Sequence, residues 1–133
     1  MTEYTLNFDG GSTGNPGLSG AGSVIYYNGE EVWSGAFYVG SMETNNTAEY
    51  HGLIHGLEAA ITMNILDLVA YGDSALVINQ ANGTYKVKSC HLKPLYDRVM
   101  VLVGYFNSIQ FKHVPRKLNK RADELSNLGR ILK

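Results

Sequence analysis

At 133 residues, with 44% hydrophobic and 17% charged residues, the chain has the length and composition of a single folded domain spanning 1–133, which excludes intrinsic disorder. No apolar run approaches a membrane span, and the opening Met1-Thr2-Glu3-Tyr4 lacks the basic start and hydrophobic stretch of a signal peptide, so a cytoplasmic address is the default expectation. The net charge of −1 hides a division: nine acids and no Lys or Arg precede Lys86, whereas eleven bases and three acids follow from there, setting −9 against +8.

A phosphodiester with bound cations would satisfy both halves, whereas interleaving them on folding would cancel the contrast. Along the chain, residues 3 to 9 alternate as a strand and reach Asp9, after which Gly10-Gly11-Ser12-Thr13-Gly14-Asn15-Pro16-Gly17 reads as a glycine-rich loop. Such a loop leaves backbone N–H groups uncovered and could grip sugar or phosphate beside a metal held by Asp9; taken alone it equally suits an ordinary hairpin. Gly20 to Tyr27 is the next strand, Asn28-Gly29 supplies a tight turn, and Val32 to Val39 returns as a third, completing an antiparallel meander.

Thr44-Asn45-Asn46-Thr47 offers capping side chains for a helix from about Thr47 to Met63. Ala48, Gly52, Gly56 and Ala60 recur every four residues, so one stripe of that helix is nearly bare and permits close approach to a sheet. Glu49 is expected in its first turn, aimed at the end of the first strand. Ile65 to Tyr71 is a fourth strand ending in Gly72-Asp73-Ser74, followed by a short helix through Gln80 and a longer one from about His91 to Phe106. Ser108 to Val114 is a fifth strand, and a basic loop, Arg116-Lys117-Leu118-Asn119-Lys120-Arg121, leads into a last helix carrying Asp123. Strands and helices in this order imply an α/β domain with a mixed five-stranded sheet, three antiparallel strands then two parallel, and helices on both faces. The lone Cys90 has no partner for a disulfide or zinc site and reads as a structural thiol.

If the first and fourth strands are parallel neighbours, Asp9, Glu49, Asp73 and Asp123 meet at one sheet edge. Carboxylates so gathered repel, and an all-oxygen set selects Mg²⁺ or Mn²⁺ over zinc. The runs DGGSTGNPG, TNNTAEYHGLIHGLEA, YGDS, YKVKSCHLKPLYDRV and HVPRKLNKRADELS together make the chain resemble type 1 ribonuclease H over nearly its whole length. The resemblance implies an endonuclease cutting the RNA strand of RNA–DNA hybrids to 5′-phosphate and 3′-hydroxyl ends. It implies two divalent ions on Asp9, Glu49, Asp73 and Asp123, and a mobile histidine, His113, assisting proton movement or product release.

By the same resemblance, Gly11, Ser12, Asn15, Asn45 and Glu49 should lie along the minor groove, and Thr44 and Asn46 on the DNA side. Ala75 replaces a longer RNA-touching side chain found in many relatives. The short stretch from Gly83 to His91 leaves no room for a basic protrusion, and no appended hybrid-binding domain is expected. Phosphate contacts then fall to Lys86, Lys88, Arg116, Lys117, Lys120 and Arg121, giving weak, salt-sensitive binding by a monomer. The alternatives are a non-catalytic nucleic-acid-binding module on the same fold and a broader nuclease that also cuts double-stranded RNA. His51, His55 and His91 read as packing or surface residues, and Glu58 and Asp67 as solvated charges.

Overall fold

The computed structural model describes residues 3–133. Its strands are β1 (Tyr4–Thr13), β2 (Gly17–Tyr27), β3 (Glu30–Glu43), β4 (Asp67–Gly72) and β5 (Ser108–His113). Its helices are α1 (Asn45–Thr62), α2 (Ala75–Ala81), α3 (Lys93–Val103) and α4 (Lys120–Gly129), with one 3₁₀ turn at Arg116–Leu118. The sheet runs β3-β2-β1-β4-β5: β1, β2 and β3 are antiparallel neighbours, while β4 lies parallel to β1 and β5 parallel to β4. The expected mixed sheet is therefore the observed one. No helix among the described residues is long and apolar enough to cross a membrane.

One expectation fails in an informative way. The chain does not leave the sheet at Asp9: β1 continues to Thr13, paired residue by residue with β2 as far as Leu18, and only Gly14-Asn15-Pro16 forms the turn. The glycines of this region are thus strand residues whose missing side chains admit helices. A Cβ on Gly10 would lie 2.1 Å from the carbonyl carbon of Ala48 in α1, and one on Gly22 would lie 2.5 Å from the Ala122 carbonyl oxygen in α4. Since successive strand residues point to opposite faces, Gly10 meeting α1 and Gly11 meeting Arg130 at the end of α4 puts the two helices on opposite sides of the sheet.

The bare stripe of α1 behaves as its spacing suggests. Cβ atoms on Gly52 and Gly56 would lie 2.5 Å from the Asp9 carbonyl oxygen and from a Leu6 methyl. Around this contact Leu6, Phe8, Tyr50, Leu53 and Leu57 are buried, and Leu92, Val99 and Leu102 close the core from the α3 side. Thr44 caps α1 by accepting from the Thr47 N–H at 3.2 Å, which starts the helix at Asn45. Glu49 consequently lies beyond the first turn, and the expected first-turn placement does not hold. Cys90 is exposed and fills no structural niche, contrary to the role expected of it.

Candidate active site

The register between β1 and β4 sets the site. Their pairing ends at Phe8 opposite Gly72, so Asp9 and Asp73 are the next residues on adjacent parallel strands. β4 stops there, and β1 runs on with β2 alone, which leaves one edge of β1 open from Asp9 onward. Strand alternation places Asn7, Asp9 and Gly11 on the α4 face, whereas Glu49 belongs to α1 on the other face. The open edge is where they meet. The Gly10 N–H donates to both Asp9 Oδ1, at 2.9 Å, and Glu49 Oε1, at 3.1 Å. One oxygen each from Asp9, Glu49 and Asp73 lies within 4.8 Å of the other two.

Burial and mutual repulsion distort the titration of these acids. Burial raises the Asp9 carboxyl to about 6 from 3.8, opposed first by its contact with Glu49 and then by the Gly10 N–H, with Asp73 and Asp123 adding to the rise. Burial also lifts Glu49 well above the ordinary glutamate range, with Asp9 and Asp73 adding to the effect. Both carboxyls are therefore harder to ionise than exposed acids. Glu49 Oε2 is buried and has no hydrogen-bond partner, as has the Ser12 hydroxyl. An unpartnered carboxylate oxygen facing two further carboxylates is a ligand set for a hard divalent cation, and the all-oxygen chemistry fits one.

Asp123 lines the same cleft, about 480 Å³ in volume, but stands outside the tight group of three. The Arg116 guanidinium approaches it to 3.8 Å. The four expected acids thus line one cleft, three of them mutually within 4.8 Å and the fourth, Asp123, near enough to Asp9 to raise its carboxyl. His113 is exposed at the rim, its Nε2 3.2 Å from the Asp73 carbonyl oxygen. A carbonyl can only accept, so this contact is a hydrogen bond in the tautomer that carries the proton on Nε2.

Gly11, Ser12, Asn45 and Asn46 also line the acidic cleft. Asn15 Oδ1 accepts from the Asn45 N–H at 2.9 Å and Asn45 Oδ1 from the Ser12 N–H at 2.8 Å, stitching the β1–β2 turn to the start of α1. A neighbouring cleft of about 670 Å³ contains Asn15, Thr44, Asn46, Lys86 and Lys88, and the two share Asn46. Lys117 and Lys120 are exposed and line neither cleft. Arg121 is placed unlike the expected phosphate contact: it forks onto Glu31 of β3 at 2.9 and 3.3 Å, with its charge already compensated. His55 stacks on Phe37 with ring centroids 3.8 Å apart, His51 is partly buried beside it, and His91 is exposed.

Two residues that shape the cleft were not singled out from sequence. Asn119, 1% exposed, donates through Nδ2 to the Phe8 carbonyl at 2.9 Å and accepts from Asn7 Nδ2 at 3.0 Å. Asn7 sharing a strand face with Asp9 was its available signal. Arg130 reaches the cleft from the end of α4 and carried no signal, because nothing in sequence shows that α4 crosses β1.

An acidic cleft at the carboxyl ends of a parallel strand pair, in a sheet of this order, defines a ribonuclease H-like domain. The family described as Reverse transcriptase-like matches residues 7–129. Ribonuclease HI of Halobacterium salinarum is 40% identical over 121 residues, covering 90% of this chain and 60% of that protein. The N-terminal RNase H domain of a Mycobacterium tuberculosis protein superposes with a TM-score of 0.93 at 36% identity, covering 98% of this chain and 94% of the other. LC11-RNase H1 in complex with an RNA/DNA hybrid superposes with a TM-score of 0.88 at 34% identity, covering 95% of each chain. This chain belongs to the ribonuclease H family, whose members depend on divalent metal. It spans about a third, 35%, of the length of the full mycobacterial relatives it matches.

Proposed function

We propose that this chain is a divalent-cation-dependent endoribonuclease that hydrolyses the RNA strand of RNA–DNA hybrids, leaving 5′-phosphate and 3′-hydroxyl ends. The observation that carries the reading is the convergence of Asp9, Glu49 and Asp73 within 4.8 Å, with Glu49 Oε2 buried and unpartnered. The LC11 relative solved with an RNA/DNA hybrid supports the substrate class. Asp9, Glu49, Asp73 and Asp123 would hold two Mg²⁺ or Mn²⁺ ions, which when bound lower the pKa of an attacking water and stabilise the departing 3′ oxygen.

The chain's own residues supply position and proton traffic. The stitched Ser12–Asn45–Asn15 run presents backbone and amide groups beside the acids, where an RNA minor groove with its 2′-hydroxyls would lie. Thr44, Asn46, Lys86 and Lys88, gathered in the adjoining cleft, suit the phosphates of the DNA strand. His113, exposed and resting on the Asp73 carbonyl, stands where a proton can pass between the rim and solvent. The acids bind cations and need not act as the base. All these groups come from one chain, so the reading requires no protein partner and is compatible with a monomer.

A binding module without catalysis would gain nothing from a buried group of mutually repelling carboxylates. Incubating the protein with labelled hybrid, double-stranded RNA and single strands, with and without Mg²⁺ or Mn²⁺, tests the proposal. Metal-dependent cutting of the RNA in the hybrid is the expected result. Intact RNA under every condition would defeat the reading, and equal cutting of double-stranded RNA would broaden it.

A further inference from the structure

We infer that Arg130 is a further substrate-positioning residue, whose guanidinium binds the RNA-strand phosphate next to the one that is cut. The inference rests on the hybrid-cleaving reading above. Arg130 caps the end of α4, and its side chain turns back over β1. Its Nε donates to the Gly11 carbonyl at 3.4 Å, and a Cβ on Gly11 would lie 2.6 Å from one terminal nitrogen. The guanidinium therefore fills the space that a side chain at position 11 would occupy.

That location fixes its relation to the acids. Gly11 lies on the same face of β1 as Asp9, two residues further along, so the guanidinium sits roughly 7 Å down the strand from the Asp9 position. This is comparable to one phosphate-to-phosphate step along a nucleic-acid strand. Arg130 lines the acidic cleft together with Gly11, Ser12 and Ser126.

Charge bookkeeping sets it apart. The chain has four arginines, and three are paired: Arg98 with Glu58, Arg116 with Asp123 and Arg121 with Glu31. Among the described residues no carboxylate lies within 4.0 Å of Arg130. A partly buried guanidinium beside an acidic cluster, yet joined to none of its members, has its fork free for a bidentate anion. If Arg130 served only to pin α4 to β1 through the Gly11 carbonyl, a neutral donor would suffice.

The test measures binding of a labelled RNA–DNA hybrid by fluorescence anisotropy across a salt series in metal-free buffer, for the parent and for Arg130→Ala, Arg130→Gln and Arg130→Lys. Gln keeps a donor for the carbonyl without the charge, and Lys keeps the charge without the fork. The slope of log Kd against log salt should shrink by about 0.9 in the Ala and Gln variants and persist in the Lys variant. In cleavage assays KM should rise roughly tenfold in the Ala variant with kcat within about twofold. Unchanged slopes in all three variants, with a lowered thermal midpoint in Ala alone, would make Arg130 a structural pin and overturn the inference. A parent protein that neither binds nor cuts hybrid would instead overturn the functional reading on which it rests.

Discussion

Asn119 Nδ2 donates to the Phe8 carbonyl across 111 residues of sequence, at 2.9 Å, in a site with 1% exposure. Phe8 precedes Asp9, and the Asn119 carbonyl accepts from the Asp123 N–H at 3.1 Å. One buried residue thus ties the strand that delivers the first acid to the helical turn that delivers the last. Asn119→Ala would leave the Phe8 carbonyl and the Asn7 amide without partners, at a cost of about 2–3 kcal/mol. Urea unfolding should record that loss, and cleavage at temperatures where the variant is fully folded should still be reduced.

Asp73→Asn should abolish metal-dependent cleavage while leaving the metal-free protein as stable as the parent or more so, since one charge leaves the converged group. Thermal unfolding in chelator checks the second half. A strongly lowered midpoint would make Asp73 a structural residue.

Asp9 titrates near 6 in the folded protein against 3.8 ordinarily, so the fold binds its proton more tightly than the unfolded chain does. The stability Asp9 contributes is full below about pH 4 and is lost as pH rises through about 6, on the order of 3 kcal/mol. Burial lowers His51 and His55, which changes stability in the opposite direction over overlapping pH values. The comparison that isolates the acid is therefore parent against Asp9→Asn in chelator: the variant's relative stability should grow between pH 4 and 7. Mg²⁺ or Mn²⁺ at pH 7 should raise the midpoint of the parent and not that of the variant.

Gly52→Ala puts a methyl 2.5 Å from the Asp9 carbonyl oxygen, which belongs to backbone and cannot swing aside. Separating α1 from β1 should cost roughly 3 kcal/mol or more and pull Glu49 away from Asp9. Calorimetry and cleavage should both register it, with cleavage lost even where the variant remains folded.

Lys86→Ala and Lys88→Ala should each weaken hybrid binding and reduce its salt slope by roughly one. Arg121→Ala should leave that slope intact, because its guanidinium is committed to Glu31. Anisotropy titrations at several salt concentrations separate the two behaviours.

The element order, a capping run at Thr44 to Thr47 and the bare stripe of α1 were legible in sequence because each follows from local spacing or local hydrogen bonding, although α1 starts at Asn45 rather than near Thr47. The meeting of Asp9 with Asp73 was legible for a related reason: β1 and β4 are parallel neighbours whose pairing stops at Phe8 and Gly72, one residue before each acid. The extent of β1 was not. Glycine is a strand breaker by propensity, and only pairing with β2 on one side and helices packed against Gly10, Gly20 and Gly22 make it a strand residue here.

Sequence by itself determined the inventory: hard-oxygen ligands, the cations held back until Lys86, and a helix slim enough to touch a sheet. Tertiary structure decided which members of that inventory face one another. It brought Asp9, Glu49 and Asp73 together with Asp123 beside Asp9, paired Arg121 with Glu31, and carried Arg130 and Asn119 to β1 from more than a hundred residues away. The reason is that composition and periodicity act within an element, whereas the crossing of α4 over β1 and the early end of β4 are set by packing across the whole sheet.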